Sequence, residues 1–162
     1  MAAGGSVERL RATLPQAAYG QGDVLASPLR MARVAGALAN GGVLTEPRFE
    51  LRADLPVKRE RLLAPQAAAT LARDMRDSVL DGTGRVLRPH PLRVAGKTGT
   101  AEVAGEPSHS WFVGFAPYES GAPASRRIAF AVLVEHAGYG GREAATAAGQ
   151  IVTAAADAGL IR

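Results

Sequence analysis

One run of seven apolar residues, Ile128-Ala129-Phe130-Ala131-Val132-Leu133-Val134, sets the tightest limit on the fold. Side chains on a strand alternate between two faces, so a strand apolar at every position puts hydrocarbon on both sides of its sheet. Such a strand belongs in the middle of a sheet covered on both faces. Two more strand-like segments precede it, residues 92–103 and 110–116, separated by glycine- and proline-rich turns. With residues 127–134 they predict an antiparallel meander whose bulkiest core members are Trp111, Phe112, Phe115 and Phe130.

The covering layers must come from helices, and three segments carry the pattern. Ser27-Pro28 supplies an N-cap hydroxyl and a proline at the first helical position, followed by the stripe Met31, Val34, Ala35, Leu38. Asn40-Gly41-Gly42 ends that helix, since glycine accepts a left-handed C-terminus. Pro65 opens a second helix with the stripe Ala68, Leu71, Ala72, Met75, Val79, stopped by Asp81-Gly82-Thr83-Gly84. A closing helix is expected over residues 142–160, with Ala144, Ala148, Ile151 and Ala155 on one side. Before Gly20-Gln21-Gly22 only residues 7–14 have a short helical pattern. Val43-Leu44 reads as extended and leads into a polar stretch with Arg48, Glu50, Arg52 and Asp54. Pro89-His90-Pro91 is a punctuated link. The order is α+β, an antiparallel sheet of three strands flanked by helices, in a single unit over residues 1–162.

Composition excludes several function classes. The formal charge is +4, Lys58 and Lys97 are the only lysines, and Arg59/Arg61 and Arg126/Arg127 are the only local basic groups. A nucleic-acid partner would call for a basic face or stripe, and none is visible. With no cysteine, a disulfide scaffold, a thiolate metal site and a cysteine nucleophile are ruled out. His90, His109 and His136 lie far apart in the chain without metal-ligand spacing, so neither metal nor cofactor is implied. No stretch reaches the roughly 18 apolar residues of a membrane span, and Met-Ala-Ala-Gly-Gly-Ser is not a signal peptide.

The segment that carries chemistry is Val94-Ala95-Gly96-Lys97-Thr98-Gly99-Thr100-Ala101-Glu102. Gly96-Lys97-Thr98 matches the end of a phosphate-binding loop, but the glycine that signature needs at position 91 is Pro91, and no helix follows. The other reading is Lys-Thr-Gly on a sheet edge. Thr98 and Thr100 share a strand face, two hydroxyls so placed can hydrogen-bond a carboxylate, and Lys97 adds positive charge. Gly99, without a side chain, would let an extended peptide approach the edge.

The surrounding blocks resemble the class B penicillin-binding proteins, peptidoglycan D,D-transpeptidases. Gly20-Gln21-Gly22, Ser27-Pro28-Leu29-Arg30-Met31-Ala32, Ala39-Asn40-Gly41-Gly42, Gly82-Thr83-Gly84, the lysine segment and Ser110-Trp111-Phe112-Val113-Gly114-Phe115-Ala116-Pro117 follow the family's order across nearly the whole chain. The resemblance implies a cleft in which Lys97, Thr98 and Thr100 hold the carboxylate of a D-alanyl-D-alanine stem peptide or of a β-lactam. It also implies that the Thr100 N–H is one of two oxyanion donors. Lys97 and Thr100 are thus the catalytic candidates, and Thr98, Gly99 and Thr100 the substrate-binding ones. The Gly-Gln-Gly and Trp-Phe-Val-Gly blocks read as turn and core.

Two family elements are missing. Leu55 and Val94 stand three residues before the two lysines, so there is no Ser-x-x-Lys nucleophile; Leu38 stands two before Asn40, the only asparagine, so there is no Ser-x-Asn. A serine without a base in reach is a poor nucleophile. The family order puts these elements and two strands upstream. The expectation is therefore a partial domain, inactive alone and self-associating through an uncovered edge of residues 128–134, with the missing N-terminal part as a partner. The parent proteins act at the extracytoplasmic face of the bacterial membrane. The alternative is a non-catalytic module that binds a stem peptide or a partner protein along the same edge.

Overall fold

The computed structural model describes residues 7–48, 50, 56–119 and 126–161. Four helices, α1 (Val7–Ala17), α2 (Pro28–Ala39), α3 (Pro65–Leu80) and α4 (Glu143–Asp157), accompany five strands, β1 (Val43–Thr45), β2 (Arg59–Arg61), β3 (Ala95–Val103), β4 (Glu106–Ala116) and β5 (Ile128–Val134). A short 3-10 turn spans Arg85–Leu87. The expected three-stranded antiparallel meander is present, in the order β3-β4-β5, and β1 and β2 form a separate two-stranded ribbon.

Register assigns the two faces. Thr98 lies opposite Phe112, Thr100 opposite Ser110, Phe112 opposite Val132 and Gly114 opposite Phe130, so these residues share one face. That face meets α4 through Ala144, Ala145, Ala148 and Val152, together with Val79, Leu87 and Val94. Phe112 is fully buried and stacks on Phe130 with centroids 6.2 Å apart. A Cβ on Gly96 would collide with the Phe112 ring, so the glycine makes room for the largest core side chain. The opposite face, with Ala95, Phe115 and Ala129, packs on Ala72 of α3 and on Leu38 and Ala39 of α2.

α2 begins as expected, with Ser27 Oγ accepting from Arg30 N, and ends at Gly41 and Gly42, both with positive φ. Several side-chain expectations change. Trp111 is half-buried rather than core, because neighbours on a strand face opposite ways and Phe112 takes the inner face. In α2 the buried residues are Ala35 and Ala37, and Val34 is exposed. In α3 the inner line is Ala68, Ala72, Arg76 and Val79, which leaves Leu71 outside. In α4 Val152 is buried and Ile151 exposed. An arginine was hidden in an apolar stripe: Arg76 is 9% exposed and its Nη1 donates to Val94 O at 2.7 Å. Burial first, and the nearby Arg93 charge second, lower its pKa.

β2 carries three exposed charged residues and no apolar alternation, so only its pairing with β1 makes it a strand. α1 runs further than its short pattern predicts and contains Pro15. Arg52 and Asp54 of the polar stretch lie outside the described residues. β5 has both faces covered as expected, but among the described strands it is outermost rather than central.

Candidate functional site

The lysine segment lies on β3, an outer strand. Its backbone groups alternate between β4 and the free edge. Thr100 O accepts from Gln21 Nε2 at 2.9 Å, and Glu102 N donates to Gln21 Oε1 at 3.3 Å. Even-numbered residues therefore turn their N–H and C=O outward, which sets the Thr98 and Thr100 N–H groups along the edge. Lys97 is exposed, on the face opposite Thr98 and Thr100, and its ammonium curls to the edge to donate to Thr98 O at 2.9 Å.

Thr98 and Thr100 share a face as the alternation requires, yet their hydroxyls differ. Thr98 is 8% exposed and its Oγ1 lies 2.6 Å from Thr83 Oγ1, so it is turned inward. Thr100 is exposed, and its Oγ1 accepts from Gly140 N at 3.4 Å. The site's outward polar groups are thus the Lys97 ammonium, the Thr100 hydroxyl and the edge amides. A Cβ at Gly99 would sit 3.1 Å from Trp111 Cβ, so the missing side chain first of all admits Trp111.

The loop before α4 locks this end of the sheet. Ser110, fully buried, donates through Oγ to Tyr139 O at 3.3 Å and accepts from Ala144 N at 3.1 Å. A Cβ on Gly140 would run into Gly99 O and stand 2.7 Å from Trp111 O, so only glycine fits there. Two residues at the site were legible only as turns in the sequence: Thr83, which holds Thr98, and Gln21, which holds the edge. The flanking glycines were a signal of special backbone and said nothing of where the side chain between them goes.

The histidines also differ from their spacing. His109 and His136, distant in sequence, meet edge-on with ring centroids 4.7 Å apart, and His136 N donates to His109 Nδ1 at 3.0 Å. His90 ties its link to α4 through Gly149 O and Thr153 Oγ1. No group of three metal-binding side chains occurs among the described residues.

Comparison with known proteins decides the family. The model of the penicillin binding protein transpeptidase domain matches residues 4–153. The chain belongs to that family. Its kinship with class B penicillin-binding proteins, expected from the motif order, is borne out. It is 32% identical over 143 residues to the peptidoglycan D,D-transpeptidase PbpA of Mycolicibacterium smegmatis, covering 78% of this chain and 28% of that protein. Penicillin-binding protein A from M. tuberculosis, solved as an imipenem acyl-enzyme complex, superposes with TM-score 0.68 at 32% identity, over 90% of this chain and 34% of that one. A chain of a peptidoglycan synthase complex that coordinates polymerization and crosslinking gives TM-score 0.77 at 27% identity, over 93% of this chain and 28% of that one. The transpeptidase-domain chain thus spans about a third or less of the length of these relatives. Its mixed helix and antiparallel-sheet architecture is theirs. None of its described helices is long and apolar enough to cross a membrane.

Proposed function

We propose that this chain supplies the carboxylate-gripping strand of a peptidoglycan D,D-transpeptidase site, as one partial domain over residues 1–162. The nucleophile comes from a part of the site outside this sequence. The observation that carries the reading is the outer edge of β3 from Lys97 to Thr100, on the side away from β4. It presents an ammonium, a hydroxyl and outward amides within a few residues. The terminal carboxylate of a D-alanyl-D-alanine stem peptide, or the carboxylate of a β-lactam, sits against Lys97 and the Thr100 hydroxyl. Thr98 joins them once its hydroxyl turns from Thr83. The Thr100 N–H is aimed where an oxyanion forms, and such a donor contributes about 3 kcal/mol to acyl transfer.

Because this sequence holds neither Ser-x-x-Lys nor Ser-x-Asn, it performs no acyl transfer by itself. The missing elements are supplied by an N-terminal complement that also covers β5, on the extracytoplasmic side of the membrane. The relatives' names place them in peptidoglycan synthesis.

The test is a titration of the ¹⁵N-labelled chain with N-acetyl-D-alanyl-D-alanine. Shifts centred on Lys97 to Thr100 are expected; their absence at millimolar peptide rejects the reading. Incubation with penicillin should give no covalent adduct by mass spectrometry, and an adduct would mean that a nucleophile exists within the chain. Peptide binding that persists without any catalytic gain when the N-terminal complement is added would favour the non-catalytic binding module instead.

A further inference from the structure

His109 on β4 and His136 just past the end of β5 are tied by a bond that requires an unprotonated ring nitrogen. Nδ1 of His109 accepts the His136 N–H at 3.0 Å, so the neutral His109 ring keeps its proton on Nε2. The His136 ring takes the opposite tautomer: its Nδ1 lies 3.2 Å from Pro107 O, and a carbonyl only accepts, so that nitrogen is the donor. The rings meet edge-on, with centroids 4.7 Å apart. Histidine is the side chain whose charge ordinarily changes between about pH 5 and 8.

The pair holds a loop that ends at the candidate site. His136 has φ 52°, a left-handed conformation uncommon for a residue with a Cβ, so contacts rather than local preference keep the turn. Gly138 N donates to Ser108 O at 2.8 Å and Ser110 Oγ donates to Tyr139 O, so the loop runs alongside β4. It then delivers Gly140 N to Thr100 Oγ1 at 3.4 Å. A hydroxyl that accepts this N–H has its own proton left to donate, which is the polarity a ligand carboxylate needs. At 3.4 Å the bond is near its limit, and a small outward shift of the loop breaks it.

We infer that His109 and His136 form a pH-sensitive latch that positions the Thr100 hydroxyl through Gly140, closed while His109 is neutral and released when it takes up a proton. Protonation fills the Nδ1 lone pair and sets one N–H against another, so the His136 amide loses its partner. The latch is therefore intact at the alkaline end of the histidine range and lost as the pH falls. The elements around the pair carry Lys97 and Glu102 on β3, Glu106 on β4, Glu135 next to His136, Tyr139 in the loop, and Arg142 and Glu143 where α4 begins. All of these are exposed, and among the described residues none forms an ion pair with either ring. The consequence for ligands rests on the reading of the β3 edge as the stem-peptide site.

The test first follows the ligand-free ¹⁵N-labelled chain by NMR across the histidine range. The His136 and Gly140 amides should titrate with the midpoint of the His109 ring, and a Gly140 amide that does not follow overturns the inference. Binding of N-acetyl-D-alanyl-D-alanine reads the consequence. The wild-type chain should bind it about threefold more weakly at about pH 5.5 than at about pH 7.5, a range in which the peptide's own carboxylate stays ionised. His109→Asn sets an acceptor oxygen where Nδ1 stands and does not titrate, so it should keep the tighter binding at both pH values. His109→Leu offers no acceptor and should show the weaker binding at both. A pH dependence that survives in His109→Asn, or tight binding by His109→Leu at the higher pH, would overturn the latch. If the dipeptide binds at neither pH, the stem-peptide reading falls and the ligand consequence falls with it. Joint titration of the His136 and Gly140 amides would then still show the latch itself, so the two failures are told apart.

Discussion

The two outer strands of the sheet end in opposite ways. β3 presents an edge already engaged by its own protein: Gln21 holds Thr100 O and Glu102 N, and the Lys97 ammonium holds Thr98 O. β5 is apolar at every position, and no described strand pairs with its outer side. The β3–β4 ladder points the backbone of Trp111 toward β3, so Phe112 faces β5 and its partner Val132 faces back. Ala129, Ala131 and Leu133 therefore turn their backbone groups outward. A polar edge guarded by side chains suits reversible ligand pairing, whereas an apolar bare edge suits permanent cover or unwanted association.

The largest effect should come from the strand between the two edges. Phe112→Ala removes the ring that fills the space over Gly96 and stacks on Phe130, and it should cost about 3–5 kcal/mol in urea unfolding. A loss below about 1 kcal/mol would mean that the sheet is not held from its centre. Next, the polar anchoring of β3 is tested at Thr83→Val, which leaves the buried Thr98 hydroxyl without its partner and should cost about 1–3 kcal/mol. Adding Thr98→Val should recover part of that loss, because two apolar groups then meet; simple additivity would show that the hydroxyl pair contributes nothing.

Self-association through β5 is the third point. Ala131→Lys puts a charge on that strand and should weaken oligomer formation at least about tenfold by sedimentation. If the wild-type chain sediments as a monomer, the contrast between the edges has no consequence in solution. The smallest stability effect is expected on the guarded side. Lys97→Ala, at an exposed position, should change unfolding free energy by less than about 0.5 kcal/mol while reducing D-alanyl-D-alanine affinity about tenfold. Added salt should reproduce part of that loss for the wild type and none for the variant.

Much of the architecture was legible before any coordinates. Ser27-Pro28, Pro65 and the run from Ile128 to Val134 mark element starts and a two-faced strand, because caps, fixed φ and alternation are local properties. Local rules failed where a partner decides. β2 is a strand only through β1, and Trp111 lost its core place to Phe112 because only one of two neighbours can face α4. Small helical alanines displaced larger side chains such as Leu71 and Ile151 from the inner faces, since close approach of a helix to a sheet favours small residues.

The sequence alone determined the family motif order, the helix boundaries set by proline and glycine, and the lysine segment as a strand with Thr98 and Thr100 on one side. The tertiary structure alone decided that the Thr98 hydroxyl turns inward to Thr83 while Thr100 stays open, and that Gln21 reaches the strand edge. The reason is physical. Periodicity reports which way a side chain leaves its own backbone, but a hydrogen bond needs a partner, and these partners come from turns 15 and 79 residues away.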